Sequence, residues 1–184
     1  VFNWPSGFYH KARHLLLMVY VDDFKMSGPS GHMAVTWSEM SSRIQMDDPG
    51  PVTKCLGCHH HVRLGVVKGV PVQIIEYDMG DFMLSCAEAY RKAVGEPNMI
   101  LRAVDTPFLE IEEEEEPTGK LQPIASSILM KLLYGARIAR WDLLKGIQVL
   151  STRVTKWNVS CDRALHTLIC YVACTANHVL VGFV

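Results

Sequence analysis

The chain has 184 residues, 49% of them hydrophobic, which suffices to bury one sizeable core and suits one or two domains. With 18 basic and 19 acidic residues its formal net charge is −1 and its pI about 6.8, so the overall balance gives no reason to expect nucleic acid. Six cysteines without the density or spacing of a secreted disulfide framework, no apolar run near the roughly 18 to 20 residues of a membrane span, and no signal-peptide order exclude three classes and point to a reducing, intracellular setting away from a membrane.

In chain order, residues 1–28 read as a β-hairpin: a short apolar and aromatic start, a turn around Pro5-Ser6-Gly7, then the apolar run from Leu15 to Val21. Over residues 31–44 the steps of 4, 3 and 4 between Met33, Trp37, Met40 and Ile44 predict a helix with one apolar stripe. The turn cluster Asp47-Asp48-Pro49-Gly50-Pro51 ends it. Residues 52–58 and 67–77 read as two further strands, and residues 82–94 as a helix that stops before Gly95 and Pro97.

Residues 109–119, LEIEEEEEPTG, pack like charges densely enough to repel, stay solvated and act as a linker. Beyond it, residues 124–151 form a long helical stretch broken near 139–142. Residues 162–174 make a second helix whose Leu165, Leu168 and Val172 share a face. No internal repeat is present on either side. From Lys120 to Arg163, eight basic residues face only Asp142 and Asp162, a local charge of +6 that suits either a polyanion-binding face or a solvated helix surface. The chain begins with Val1 and ends in VLVGFV, and both ends read as cuts through a longer polypeptide.

The stretch LLLMVYVDD brings Asp22 and Asp23 side by side straight out of an apolar strand. Two adjacent carboxylates at a hairpin tip offer hard oxygen ligands for a divalent cation, although an Asp-Asp turn on a surface needs no such role. In nucleotidyl transfer, two magnesium ions about 3.5 to 4 Å apart activate the attacking hydroxyl and stabilise the leaving pyrophosphate.

Tyr20-Val21-Asp22-Asp23 resembles the catalytic hairpin of reverse transcriptases, specifically those of copia-type LTR retrotransposons. The resemblance continues in order. Gln45-Met46-Asp47-Asp48-Pro49-Gly50-Pro51 followed by Cys55-Leu56-Gly57 looks like the family's acidic-and-glycine turn before its Phe-Leu-Gly strand, and Asp105-Thr106-Pro107 like the Thr-Pro after the first thumb helix. Leu132-Leu133-Tyr134, Ala139-Arg140-Trp141-Asp142-Leu143 and residues 163–173 resemble the segment that joins polymerase to ribonuclease H. The likeness spans nearly the whole chain, with the acidic run as an insertion.

That resemblance implies an α+β fold: a partial polymerase palm over residues 1–80, a first thumb helix region over 81–108, the acidic linker at 109–119 and a mostly helical thumb and connection segment over 120–184. It implies RNA-directed DNA polymerase activity in an intact parent, with Asp22 as the firmer ligand of Mg2+ (or Mn2+) and Asp23 beside it. Val21 would be tucked under the sheet and Tyr20 would lie near the template-primer. Arg137, Arg140, Lys145, Arg153 and Lys156 would line the side facing an RNA–DNA hybrid, so that residues 118–184 bind the hybrid less tightly as salt rises. The implied partners are an RNA template, a DNA primer and the other polyprotein domains (fingers, ribonuclease H, integrase), in cytoplasmic particles.

The sequence also departs from the family. The third metal carboxylate and the fingers would precede Val1, and the ribonuclease H acidic residues would follow Val184, so the isolated chain is expected not to polymerise DNA. Trp141 stands where the family has the proline of Arg-Pro-Asp, and Lys25 interrupts the strand after the aspartates.

A second class of reading rests on Cys55-Leu56-Gly57-Cys58-His59, which matches the Cys-x-x-Cys-His signature of covalent haem attachment and, with His60 and His61, leaves zinc open. A structural zinc site normally closes with a second ligand pair, and no partner knuckle follows. Met79 or Met83 would be the axial ligand of a haem. Along a strand these cysteines would instead be small hydrophobes. A plain protein-interaction domain is the remaining alternative. Cys161 near Asp162 and His166 suggests a nucleophile with a base, but a five-residue step shares no helix face. Gly28-Pro29-Ser30-Gly31 is a turn, Asn158-Val159-Ser160 fits a glycosylation pattern without meaning inside a cell, and Trp141 and Trp157 suit either base stacking or core packing.

Overall fold

The computed structural model describes residues 4–111 and 117–183. It is an α+β protein with antiparallel sheets and five α-helices among the described residues, arranged as two compact units, Val1–Cys55 and Leu56–Val184. Among these residues no helix is long and apolar enough to cross a membrane.

The first unit holds a three-stranded meander, β1 (Gly7–His10), β2 (Leu15–Tyr20) and β3 (Asp23–Ser27), in the order β1-β2-β3. Its registers run from Gly7 opposite Met18 to His10 opposite Leu15, and from Leu16 opposite Ser27 to Tyr20 opposite Asp23. The expected turn at Pro5-Ser6-Gly7 does form, the Gly7 amide donating to the Trp4 carbonyl at 3.0 Å, but it leads into β1, and the reversal between β1 and β2 falls at residues 11–14. The Arg13 amide donates to His10 Nδ1 at 3.2 Å and His14 takes φ 52°, so a turn forms without the glycine or proline by which turns are recognised. Helix α1 (Ser30–Ser41) covers most of the expected 31–44. Its Met33, Trp37 and Met40 are half-buried, while Ile44 lies past the helix end and is exposed. Arg13 ties this helix to the β1–β2 loop through a bidentate pair with Glu39 at 2.7 and 2.8 Å. A two-residue strand, β4 (Lys54–Cys55), ends the unit.

In the second unit, β5 (Cys58–Val67) and β6 (Val70–Asp78) form a long hairpin around Lys68 and Gly69, both at positive φ (51° and 81°), as a tight two-residue turn requires. β7 (Leu180–Phe183) adds to β6, with Tyr77 opposite Leu180. Strand β5 is hidden in the sequence because three consecutive histidines erase its alternation. The expected strand over 52–58 shrinks to β4, since Leu56 and Gly57 take φ 52° and 77° and leave extended backbone.

Helices α2 (Gly80–Val94), α3 (Gln122–Ile138), α4 (Leu144–Thr152) and α5 (Val159–Cys174) pack into the main core. Met83, Cys86, Ala87 and Tyr90 of α2 are buried at i, i+3, i+4 and i+7, which is why the helical period is legible. Gly95 at φ 83° closes α2: its amide bonds to Lys92 and that of Glu96 to Arg91, satisfying carbonyls the helix end would leave orphaned. The expected break at 139–142 is present as a 3-10 turn, Trp141–Leu143. The acidic run at 112–116, expected as a linker, lies outside the described residues. Its flanks belong to the second unit: Ile111 is in the core, and Thr118 pairs with Asn158.

Candidate functional site

Pairing of Tyr20 with Asp23 leaves Val21 and Asp22 as the whole connection between β2 and β3. A two-residue connection needs left-handed backbone to follow the strand twist, and here the residue at φ 52° is Val21. A β-branched side chain rarely takes that conformation, which stores on the order of 1 to 3 kcal/mol and persists where surrounding structure imposes it. The expected placement of Val21 under the sheet is overturned: it is 81% exposed at the tip. Tyr20 is exposed, and so are the Asp22 and Asp23 carboxylates, the first in the turn and the second opening β3. Lys25, the expected interruption, stays within β3 opposite Met18.

Beside the hairpin the first unit holds an open cavity of about 880 Å³. Asp22 and Asp23 border it together with Asp47 and Asp48 of the irregular segment after α1, while Phe24 and Trp37 contribute aromatic wall. By sequence Asp47 and Asp48 read only as a turn. Nothing in the spacing signals that folding brings them to the same cavity as Asp22 and Asp23.

The basic residues divide. Arg137, Lys145 and Lys156 are exposed and Arg153 is half-buried. Arg140 does not join them: it is 1% exposed and fully engaged, which corrects its expected place on a nucleic-acid face. Its Nε and Nη2 donate to the two oxygens of Asp142 at 3.0 and 2.8 Å, and Nη1 and Nη2 donate to the Thr175 carbonyl and hydroxyl at 2.9 and 2.7 Å. The Arg-x-Asp motif is therefore a clip from the end of α3 to the end of α5. Burial pushes the Asp142 carboxyl up, but Arg140 and the Tyr171 hydroxyl outweigh it and hold it below the usual carboxylate range.

Asp162 has a comparable structural task. Its oxygens accept from the Lys120 and Leu121 amides at 2.7 and 3.1 Å and from Trp157 Nε1 at 2.7 Å, so one carboxylate satisfies the start of α3 and a buried indole. Asn158 is the N-cap of α5, its Oδ1 accepting from the Cys161 amide at 2.9 Å. His166 makes no pair with Cys161. It sits between the Tyr90 hydroxyl (3.1 Å) and Cys170 Sγ (3.5 Å), with the Cys170 thiol held above its ordinary value by burial. Trp157 is core, while Trp141 is 59% exposed.

Cys55 ends β4 half-buried and Cys58 opens β5 buried. His59 lies 3.7 Å from Asp81, and His61 3.7 Å from Asp78. Among the described residues no group of three or more His, Cys, Asp or Glu side chains is arranged to hold a metal ion. Comparison with family models, with curated proteins and with solved structures finds no match to this chain.

Proposed function

We propose that this chain is part of an RNA-directed DNA polymerase of a copia-type LTR retrotransposon, carrying the catalytic hairpin of the palm followed by thumb and connection. The observation that carries the reading is the β2–β3 hairpin, in which a strained Val21 brings two exposed, adjacent carboxylates to the tip of a strand pair. Of the four non-glycine residues at positive φ among the described residues, His14, Val21, Leu56 and Lys68, Val21 alone is β-branched, the type for which that conformation costs most. The ordered likeness from Tyr20 through Asp142 supports the same reading.

Asp22 and Asp23 suit Mg2+ or Mn2+ as two hard oxygen donors among the several such an ion takes. Bound there, the ion would supply Lewis-acid activation of a primer hydroxyl and stabilisation of pyrophosphate. The chain's own contribution is to hold the two carboxylates on a short, sheet-anchored turn. Exposed Arg137, Lys145 and Lys156, with Arg153, would meet phosphates of the hybrid without reading sequence. An RNA template, a DNA primer and further polyprotein domains are the partners of this reading, and cytoplasmic particles its setting.

The test is paramagnetic broadening of backbone amide signals by Mn2+. Selective broadening at residues 20–24, abolished by Asp22→Asn/Asp23→Asn, is expected. Uniform broadening, or none at the hairpin, would sink the assignment.

A further inference from the structure

Strand β5 carries exposed apolar side chains on every second residue, Val62 at 52%, Leu64 at 86% and Val66 at 67%. The main-chain groups of the same three residues are turned away from β6. In a hairpin with a two-residue turn, the residues flanking the turn, here Val67 and Val70, exchange both hydrogen bonds, and such pairs recur at every second residue. Arg63 and Gly65 therefore bond to β6, while the N–H and C=O groups of Val62, Leu64 and Val66 face the open edge. Arg63, the one charged residue in this stretch, is tied to Glu76 of β6 at 3.0 Å. On the other side, β7 accompanies β6 only from Tyr77 to Ile74, so among the described residues 64–73 form a two-stranded ribbon. A ribbon of that kind is marginal in water, and a further strand stabilises it.

Pairing across a two-fold axis must match outward-facing residues of one strand to outward-facing residues of the other, which leaves few registers. With the axis at Leu64, that residue meets its own counterpart, Val62 meets Val66 of the second copy, and Arg63 meets Gly65, which has no side chain. An axis at Arg63 would set two guanidinium groups opposite each other, and one at Gly65 would set Val62 against Lys68 of the turn. Val62-Arg63-Leu64-Gly65-Val66 is thus complementary to itself in a single register, in which the exposed apolar side chains meet and no like charges are opposed. We propose that the open edge of β5 pairs antiparallel with the same edge of a second copy of this chain, with the two-fold axis at Leu64. So short an interface falls below the roughly 1,200 Å² of stable complexes, so the dimer is weak and reversible, with a Kd on the order of 100 μM.

The proposal is independent of the polymerase reading, because its readout needs neither nucleic acid nor metal. The intact chain is followed by sedimentation equilibrium from about 10 μM to about 1 mM, with amide hydrogen exchange at both ends of that range. A monomer–dimer equilibrium is expected. Exchange at the Val62, Leu64 and Val66 amides should slow as concentration rises, while the Arg63 and Gly65 amides, bonded to β6, stay slow throughout. Leu64→Lys sets two ammonium groups against each other at the axis and should weaken the dimer at least about tenfold. Ile100→Lys makes a similar change at an 83% exposed position outside the sheets and should stay within about twofold of the parent. A chain still monomeric at the highest concentration, species that grow beyond the dimer, edge amides that ignore concentration, an unchanged Leu64→Lys, or an equal loss in Ile100→Lys overturns the proposal.

Discussion

Cys86 and Arg140 are both fully buried in the helical unit, and they are accommodated by opposite means. The guanidinium keeps its charge because Asp142 and Thr175 take up four of its hydrogen bonds. The thiol stays neutral: burial pushes it up to about 11 against the opposing charge of Lys131, and pushes the neighbouring Tyr90 phenol up to about 12. Because the folded value of Cys86 lies above the unfolded one near 8.5, the stability it contributes is complete below that pH and is lost as pH climbs toward 11. Thermal unfolding followed by circular dichroism should show a melting temperature that declines between pH 9 and 11. Cys86→Ala should cost about 1 kcal/mol at neutral pH through lost core volume and flatten that decline; an equally steep decline in the variant would show that the thiol is not its source. Neither burial is legible in the sequence. A charge and a thiol at helical spacing look the same whether the face is wet or dry.

At the scale of elements, the segment after the acidic run is joined to the start of α5 by backbone bonds, Val159 N to the Pro117 carbonyl and Gly119 N to the Trp157 carbonyl, both at 3.2 Å, and by one side chain. Asp162 accepts from two main-chain amides and one indole, and Gly119 leaves it room, since a Cβ there would stand 2.6 Å from its Oδ1 and 2.5 Å from the Asn158 carbonyl. Asp162→Ala leaves three donors without that acceptor and should lower the unfolding free energy in urea by about 2 to 3 kcal/mol. Asp162→Asn, which keeps one acceptor oxygen, should lose less, and a loss under about 0.5 kcal/mol in the alanine variant would mean water replaces these bonds without penalty. Helices α2, α3, α4 and α5 are readable because each buries a stripe of period 3.6. Strand β5 is not, and neither is the turn at residues 11–14, because their signals come from partner strands and not from their own composition.

For the whole molecule, the opposed charge of its segments gives the prediction that separates a nucleic-acid reading from a plain interaction domain. Fluorescence anisotropy of a short RNA–DNA hybrid with the intact chain should give an affinity that falls linearly with salt on logarithmic axes. Lys145→Ala/Lys156→Ala should reduce the slope by about 1 to 2, one for each phosphate that the variant no longer neutralises. A salt-independent affinity, or a slope the variant leaves unchanged, would remove these lysines from any phosphate-binding role.

The sequence alone determined the elements whose cause is local: the apolar strand that ends at Tyr20, the existence of the helices, and the punctuation at Gly95 and at residues 139–142. Those follow from periodicity and backbone chemistry carried by a few neighbouring residues. Tertiary structure alone decided that Val21 points into solvent at a strained tip, that Arg140 is interior, that Asp162 joins α3 to α5, and that Asp47 and Asp48 share a cavity with Asp22 and Asp23. Each of these depends on residues far apart in the chain meeting in space, and the energy of a buried charge, a strained turn or a shared cavity is set by what surrounds it.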